Sequence, residues 1–123
     1  MKTRRMNNHV LEICDEDSNV VLSIAEELFE RTMKITLSGK ITNEVAHDFE
    51  DEIMAAFSVC KNIKLDFSEV TYIASLALKS LLSVQQMMDE MVDSSMVLTN
   101  VSSEVMTILK DSGFSEILAI ENL

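Results

Sequence analysis

The chain contains no proline and no tryptophan, only two glycines and two cysteines, and aromatic residues make up 5% of its 123 positions. Without proline or a low-complexity run, nothing marks an interdomain linker. Two glycines cannot build a Gly-rich phosphate cradle. Cys14 and Cys60, with no third Cys or nearby His, form neither a zinc site nor a disulfide framework, and read as buried, reduced thiols. No stretch of about 18 uninterrupted apolar residues is present. The start also lacks the apolar core of a signal peptide, so the expectation is a cytoplasmic protein. No Ser, Cys or Thr stands at a recognisable spacing from a base, so the sequence suggests no enzyme and no cofactor.

What is present is acid and aliphatic mass. Hydrophobic residues make up 47%, and the formal charge is −11. Residues 1–9 hold Lys2, Arg4 and Arg5 without an acid, leaving seven cations against 21 acids in the rest, a net −14. Such a body repels phosphate backbones and anionic lipid head groups, so neither nucleic acid nor a membrane surface is an expected partner. The short basic head reads as a solubilising tail. A chain of this length forms about one domain with one core, built mainly from aliphatic side chains and nine methionines.

Asp15 to Asn19 is a polar turn between two apolar runs, so the ordered domain should begin between Val10 and Val20. Val20 to Met33 fits a helical face or a strand, and periodicity alone does not decide. Met33 to Ile41 alternates and ends near Gly39, which suits a bulge or close backbone approach. Thr42 or Asn43 is positioned to cap a helix whose apolar stripe is Val45, Phe49, Ile53, Ala56, Phe57 and Cys60, opposite an acidic face of Glu44, Asp48, Asp51 and Glu52. Ile63 to Phe67 alternates as a short strand, and a second helix follows from about Ser75 to Val92. Met96 to Val101 is a strand, Ser102 or Ser103 caps a third helix, and Gly113 supplies its left-handed stop. Ile117 to Ile120 is the last expected strand. Strands alternating with helices imply parallel pairing through right-handed crossovers.

Four landmarks in this order resemble the STAS domain family. Leu37-Ser38-Gly39-Lys40-Ile41 is similar to its Leu-x-Gly-x-Leu strand end, with Thr42 where an Asp is usual. Leu65-Asp66-Phe67-Ser68, followed by Val70, resembles the Leu-Asp-Leu-Ser segment ahead of the family's switch helix. Tyr72 to Leu78 resembles the switch, and Leu109 to Phe114, containing Ser112-Gly113-Phe114, the late helix end. The resemblance implies an α/β fold, a single domain whose mixed, mostly parallel sheet packs against helices. It settles Val20 to Met33 as strands and divides the chain into an N-terminal leader, 1–18, flexible or an extra strand, and a STAS-like domain, 19–123.

In anti-sigma factor antagonists of this family the switch reads hydrophobic, hydrophobic, Asp, Ser, Ser or Thr, Gly, Leu, and the second hydroxyl residue accepts phosphate from a kinase-like anti-sigma factor. Here Ala74 replaces the Asp, Leu76 the phosphoacceptor and Ala77 the Gly, and Ser75 alone survives. What the resemblance implies is a binding protein whose contact surface comprises Tyr72, Ala74, Ser75, Leu76, Ala77 and Lys79, with a kinase-like anti-sigma factor as partner or a homodimer as the alternative use. Ser75 is a candidate displaced phosphoacceptor, but with Ala74 unable to cap, it is also the expected N-cap of the second helix. Asp66 and Ser68 are expected to support the adjoining loop. His9, His47 and the runs Glu26-Glu27 and Asp48 to Glu52 read as solvated. A small-ligand sensor for nucleotide or lipid, or a scaffold subunit, is the alternative function.

Overall fold

The computed structural model describes residues 3–7, as backbone, and 10–121. His9 and Lys2 of the basic head lie outside the described residues. The strands are β1 (Thr3–Asn7), β2 (Val10–Cys14), β3 (Val20–Phe29), β4 (Thr32–Ile41), β5 (Asn62–Ile73), β6 (Ser95–Thr99) and β7 (Ile120–Glu121). The helices are α1 (Ala46–Val59), α2 (Ser75–Asp89) and α3 (Ser103–Asp111). The described strands make one sheet in chain order, antiparallel from β1 to β4 and parallel from β4 to β7. The parallel half is where helices intervene between strands, since parallel neighbours need a long crossover.

Register sets apolar residues side by side across the sheet: Ile24 beside Leu37, and Ile35 beside Leu65, which lies beside Leu98. These side chains are buried in a single core with Phe49 and Ile53 of α1, Leu81 and Val84 of α2, and Val105 and Leu109 of α3. Each fully buried large aliphatic contributes about 1.5–3 kcal/mol from removal of apolar surface from water, and this supplies the stability that few aromatics could. Cys14 and Cys60 are buried free thiols.

Turn chemistry follows the residues closely. Asp15 Oδ1 accepts the Asp17 and Asn19 amides (2.9 and 3.0 Å) and closes the β2–β3 turn. Ser102 caps α3, its hydroxyl accepting from the Val105 amide at 3.3 Å. Gly113 follows that helix at φ +83°. Gly39, at φ +118°, lies so close to β3 that a Cβ there would stand 2.2 Å from the Val21 carbonyl oxygen.

Several expectations need correction. Ile63 to Phe67 belongs to a 12-residue strand, because β5 carries two extra residues relative to β4, between the pairs Thr36↔Asp66 and Ser38↔Glu69 and again between Gly39↔Val70 and Lys40↔Tyr72. Those bulges let β5 continue to Ile73. The expected strand over Ile117 to Ile120 is reduced to Ile120–Glu121, since Phe114–Glu116 forms a 3₁₀ turn that binds the Ile117 and Leu118 amides. α2 stops at Asp89 rather than Val92. Asp48 is buried rather than solvated. It stands three residues after Val45 and one before Phe49, which puts it at the border of the apolar stripe.

Candidate functional site

The site forms where β4 and β5 end together. Ile41 pairs with Ile73, and the Ala74 amide then donates to the Ile41 carbonyl at 2.8 Å, so the entry to α2 is fastened to the exit of β4. β4 leads into a 3₁₀ turn, Asn43–Val45, whose Val45 amide bonds the Thr42 carbonyl. This turn presents the Asn43 side chain to the first turn of α2, where its Oδ1 accepts the Leu76 amide at 3.3 Å.

That bond corrects two expectations about caps. The N-cap position of α2 is Ala74, with extended backbone, and Ser75 is already the first helical residue, so its hydroxyl cannot act as the cap. Asn43 does not cap α1 either. It satisfies one of the unpaired amides at the start of α2 from outside that helix. Thr42 makes no side-chain cap. An Asn just after a strand signals a cap, but only the β4–β5 pairing shows which helix receives it.

The structure brings the expected site residues together on and under one short surface. Tyr72 and Leu76 are 45% and 48% exposed, and Ser75 and Lys79 are exposed as well. Ala74 and Ala77 are buried beneath them. These side chains thus split by depth: the two small ones are buried, and the large one projects. Leu76 borders a depression of ≈ 260 Å³ between α1 and α2, lined also by Asn43, His47, Glu50, Lys79 and Ser83. Ser80 on its floor is buried and donates to the Leu76 carbonyl at 3.1 Å. His47 is exposed and faces Asp51 one turn along, 3.4 Å away.

Asp66 and Ser68 lie farther back, inside β5 rather than in a loop. At the first bulge the Ser68 amide is free to bond Asp66 Oδ1 at 2.9 Å, Asn100 Nδ2 reaches the same oxygen at 3.5 Å, and Lys34 stands 3.7 Å from Oδ2. Burial acts to raise the Asp66 pKa, but the Ser68 amide and hydroxyl, the Asn100 amide and the Lys34 charge together hold it below the usual carboxylate range. Among the described residues no three His, Cys, Asp or Glu side chains are grouped to hold a metal ion, and no helix is long and apolar enough to cross a membrane.

A single α/β domain with a mixed sheet and three helices matches the fold of the anti-sigma factor antagonist SpoIIAA. Residues 17–119 match the family described as Mlab, STAS domain, and the chain belongs to the STAS domain family. Among solved structures it is similar to an anti-sigma factor antagonist from Mycobacterium paratuberculosis, with 17% identity over 87% of this chain and 88% of that one and a TM-score of 0.72. A putative anti-sigma factor antagonist from Thermotoga maritima gives 17% identity over 79% and 84%, with a TM-score of 0.71. The antagonist SpoIIAA in its unphosphorylated form gives 18% identity over 81% and 87%, with a TM-score of 0.68. No curated protein matches the chain. At these identities the structural likeness shows the fold.

Proposed function

We propose that this protein is a non-catalytic regulator that docks a protein partner through the first turn of α2, with a kinase-like anti-sigma factor as that partner. Membership of the STAS family and the antagonist-like fold support a regulatory role. The observation that carries the reading is the division at the switch position: Leu76 projects at 48% exposure where the family's phosphoacceptor would stand, above buried Ala74 and Ala77. An apolar side chain in that place favours a hydrophobic contact, and Tyr72 and Lys79 extend it with a ring and a charge. Leu76 has no oxygen to phosphorylate, so binding is set by abundance rather than by modification of that residue.

Leu76→Asp tests this reading. With a purified kinase-like anti-sigma factor from the same genome, calorimetry should show affinity reduced at least about tenfold, because an interfacial Leu is lost and a charge is buried in its place. The melting curve should stay in place or rise slightly, since Leu76 is half exposed and a carboxylate in the first turn of α2 suits the positive end of the helix. Unchanged binding, or a collapse in stability, would refute the contact. Sedimentation of the wild-type chain alone separates a homodimer through the same ridge. Intact mass after incubation with the kinase and ATP should show no phosphate, and a stoichiometric adduct on Ser75 would move the switch to that residue.

A further inference from the structure

The acids of this chain are gathered in two segments. Residues 10–30 and 41–60 hold 12 of the 21 acids and no Lys or Arg. Where the β2–β3 turn approaches the 3₁₀ turn Asn43–Val45, the two segments enclose a pocket of ≈ 280 Å³. Its apolar wall is Cys14, Val21 and Val45, of which Cys14 and Val45 are buried. Every charged residue that lines it is an acid: Asp15 and Glu16 from the β2–β3 turn and Glu44 from the 3₁₀ turn. Thr42 completes the lining, and its hydroxyl oxygen is buried without a hydrogen-bond partner.

Such a pocket suits a cation on an aliphatic stem, with the stem against Val21 and Val45 and the charge among the carboxylates. A donor entering it also gives Thr42 Oγ1 the partner it lacks, which removes a cost of burial. Among the described residues no three His, Cys, Asp or Glu side chains are grouped to hold a metal ion, so the acids suit a larger cation. A carboxylate accepts several hydrogen bonds, so Glu16 and Glu44 keep the contacts they already make. Both walls are set in advance. The Asp15 amide bonds the Asn19 carbonyl at 2.9 Å, and the Val45 amide bonds the Thr42 carbonyl at 3.2 Å, which lowers the ordering cost of binding.

The 3₁₀ turn is a shared wall. Glu44 and Val45 line this pocket, while Asn43 lines the depression beside Leu76. A protein seated on Leu76 therefore reaches the pocket by crossing one turn. We propose that the pocket takes a lysine or arginine side chain of the protein partner that docks on Leu76, so that the partner's contact segment pairs an apolar residue with a cation. The inference rests on the docking reading for the partner and on the pocket alone for the chemistry. The net charge of −11 draws a basic segment in at long range and opposes a second copy in that role.

N-acetyl-arginine methylamide tests the pocket without the partner. Titrated into the full chain at low salt, it should shift the backbone amides of residues 14–16 and 42–45 in NMR spectra, and its uncharged isostere N-acetyl-citrulline methylamide should shift them far less. Glu16→Gln with Glu44→Gln, both at exposed positions, should weaken the arginine compound about fivefold or more. The same pair should weaken a purified kinase-like anti-sigma factor from the same genome by a similar factor, and about 0.5 M salt should shrink that difference. Leu76→Asp should leave the arginine shifts in place. Failure of the docking reading thus shows as anti-sigma factor binding that survives Leu76→Asp, and failure of this proposal shows elsewhere. Equal shifts from the two compounds, shifts confined to other faces, or anti-sigma factor binding undiminished by Glu16→Gln with Glu44→Gln would each overturn it. Arginine shifts that appear only once Lys2, Arg4 and Arg5 are replaced by Gln would overturn it as well, making the chain's own basic head the occupant.

Discussion

Asn43 fixes the start of α2 from another element, and its removal should show that the cap is supplied from outside the helix. In Asn43→Ala the Leu76 amide loses its acceptor, and the first turn of α2 is then held by the Ala74 amide on the Ile41 carbonyl, the Leu78 amide on the Ala74 carbonyl, and the packing of Ala77 and Leu78. Loss of an N-capping side chain costs about 0.5–2 kcal/mol. The Asn43 bond is 3.3 Å long and lies at the surface, so the lower half of that range applies, about 0.5–1 kcal/mol. For a domain of this size that lowers the melting temperature by about 2–5 °C. Urea unfolding of Asn43→Ala and Ser75→Ala, each against wild type, is the assay, with circular dichroism as the probe. Ser75→Ala should fall within about 0.5 kcal/mol of wild type, as an exposed helical position does. Asn43→Asp should be neutral or stabilising, since a carboxylate accepts the same bond and suits the positive end of the helix. If Ser75→Ala costs as much as Asn43→Ala, or if Asn43→Ala is silent, the capping assignment is wrong.

Three further outcomes follow from the geometry. Gly39→Ala forces a Cβ to 2.2 Å from the Val21 carbonyl at φ +118°, so it should destabilise by about 2–4 kcal/mol in urea, and a loss below about 0.5 kcal/mol would mean the strands separate easily. Asp66 has its pKa lowered from 3.8, so its charge adds stability above that value, and this is lost as pH falls through the lower folded value. Asp66→Asn should therefore melt below wild type at neutral pH, and the gap should narrow in acid below 3.8; a gap that persists there would point to geometry instead of charge. Glu26 on β3 has its pKa raised above 4.5, by partial burial first and then by the charge and hydrogen bond of Glu52 on α1. Its effect has the opposite sign, favouring the fold below 4.5 and opposing it as pH rises through the folded value, so Glu26→Gln should raise the melting temperature at neutral pH and leave it unchanged in acid.

The fold was legible wherever the signal was local and periodic. Alternation located β4, the apolar stripes located α1 and α2, and Gly113 ended α3 as its conformational freedom requires. The failures share a cause. The full extent of β5 depends on two bulges whose only meaning is relative to β4, and no property of residues 62–73 alone reports them. Asp48 was misplaced because a stripe's border is invisible in a two-sided reading of a helix. Thr42 or Asn43 reads as a cap for the nearer helix because sequence order ranks neighbours by separation along the chain, whereas the Leu76 amide that Asn43 accepts lies 33 residues away. At the site itself the loss of polar side chains at 74, 76 and 77 makes an exposed Leu76 the expectation, and its 48% exposure agrees, but the residue identities alone do not report that Ala74 and Ala77 are buried beneath it.

The two fastenings at the end of β4, Ile41 carbonyl to Ala74 amide and Asn43 Oδ1 to Leu76 amide, also bear on how this surface breathes. A helix terminus capped by its own residues frays by itself, one turn at a time. Here the first turn of α2 cannot open without releasing the β4–α1 connection, so the two belong to one cooperative opening unit. Amide protons of residues 74–76 should then exchange in step with those of residues 43–45, and a protein resting on Leu76 would slow exchange on both sides of the groove, in segments some 30 residues apart in the chain.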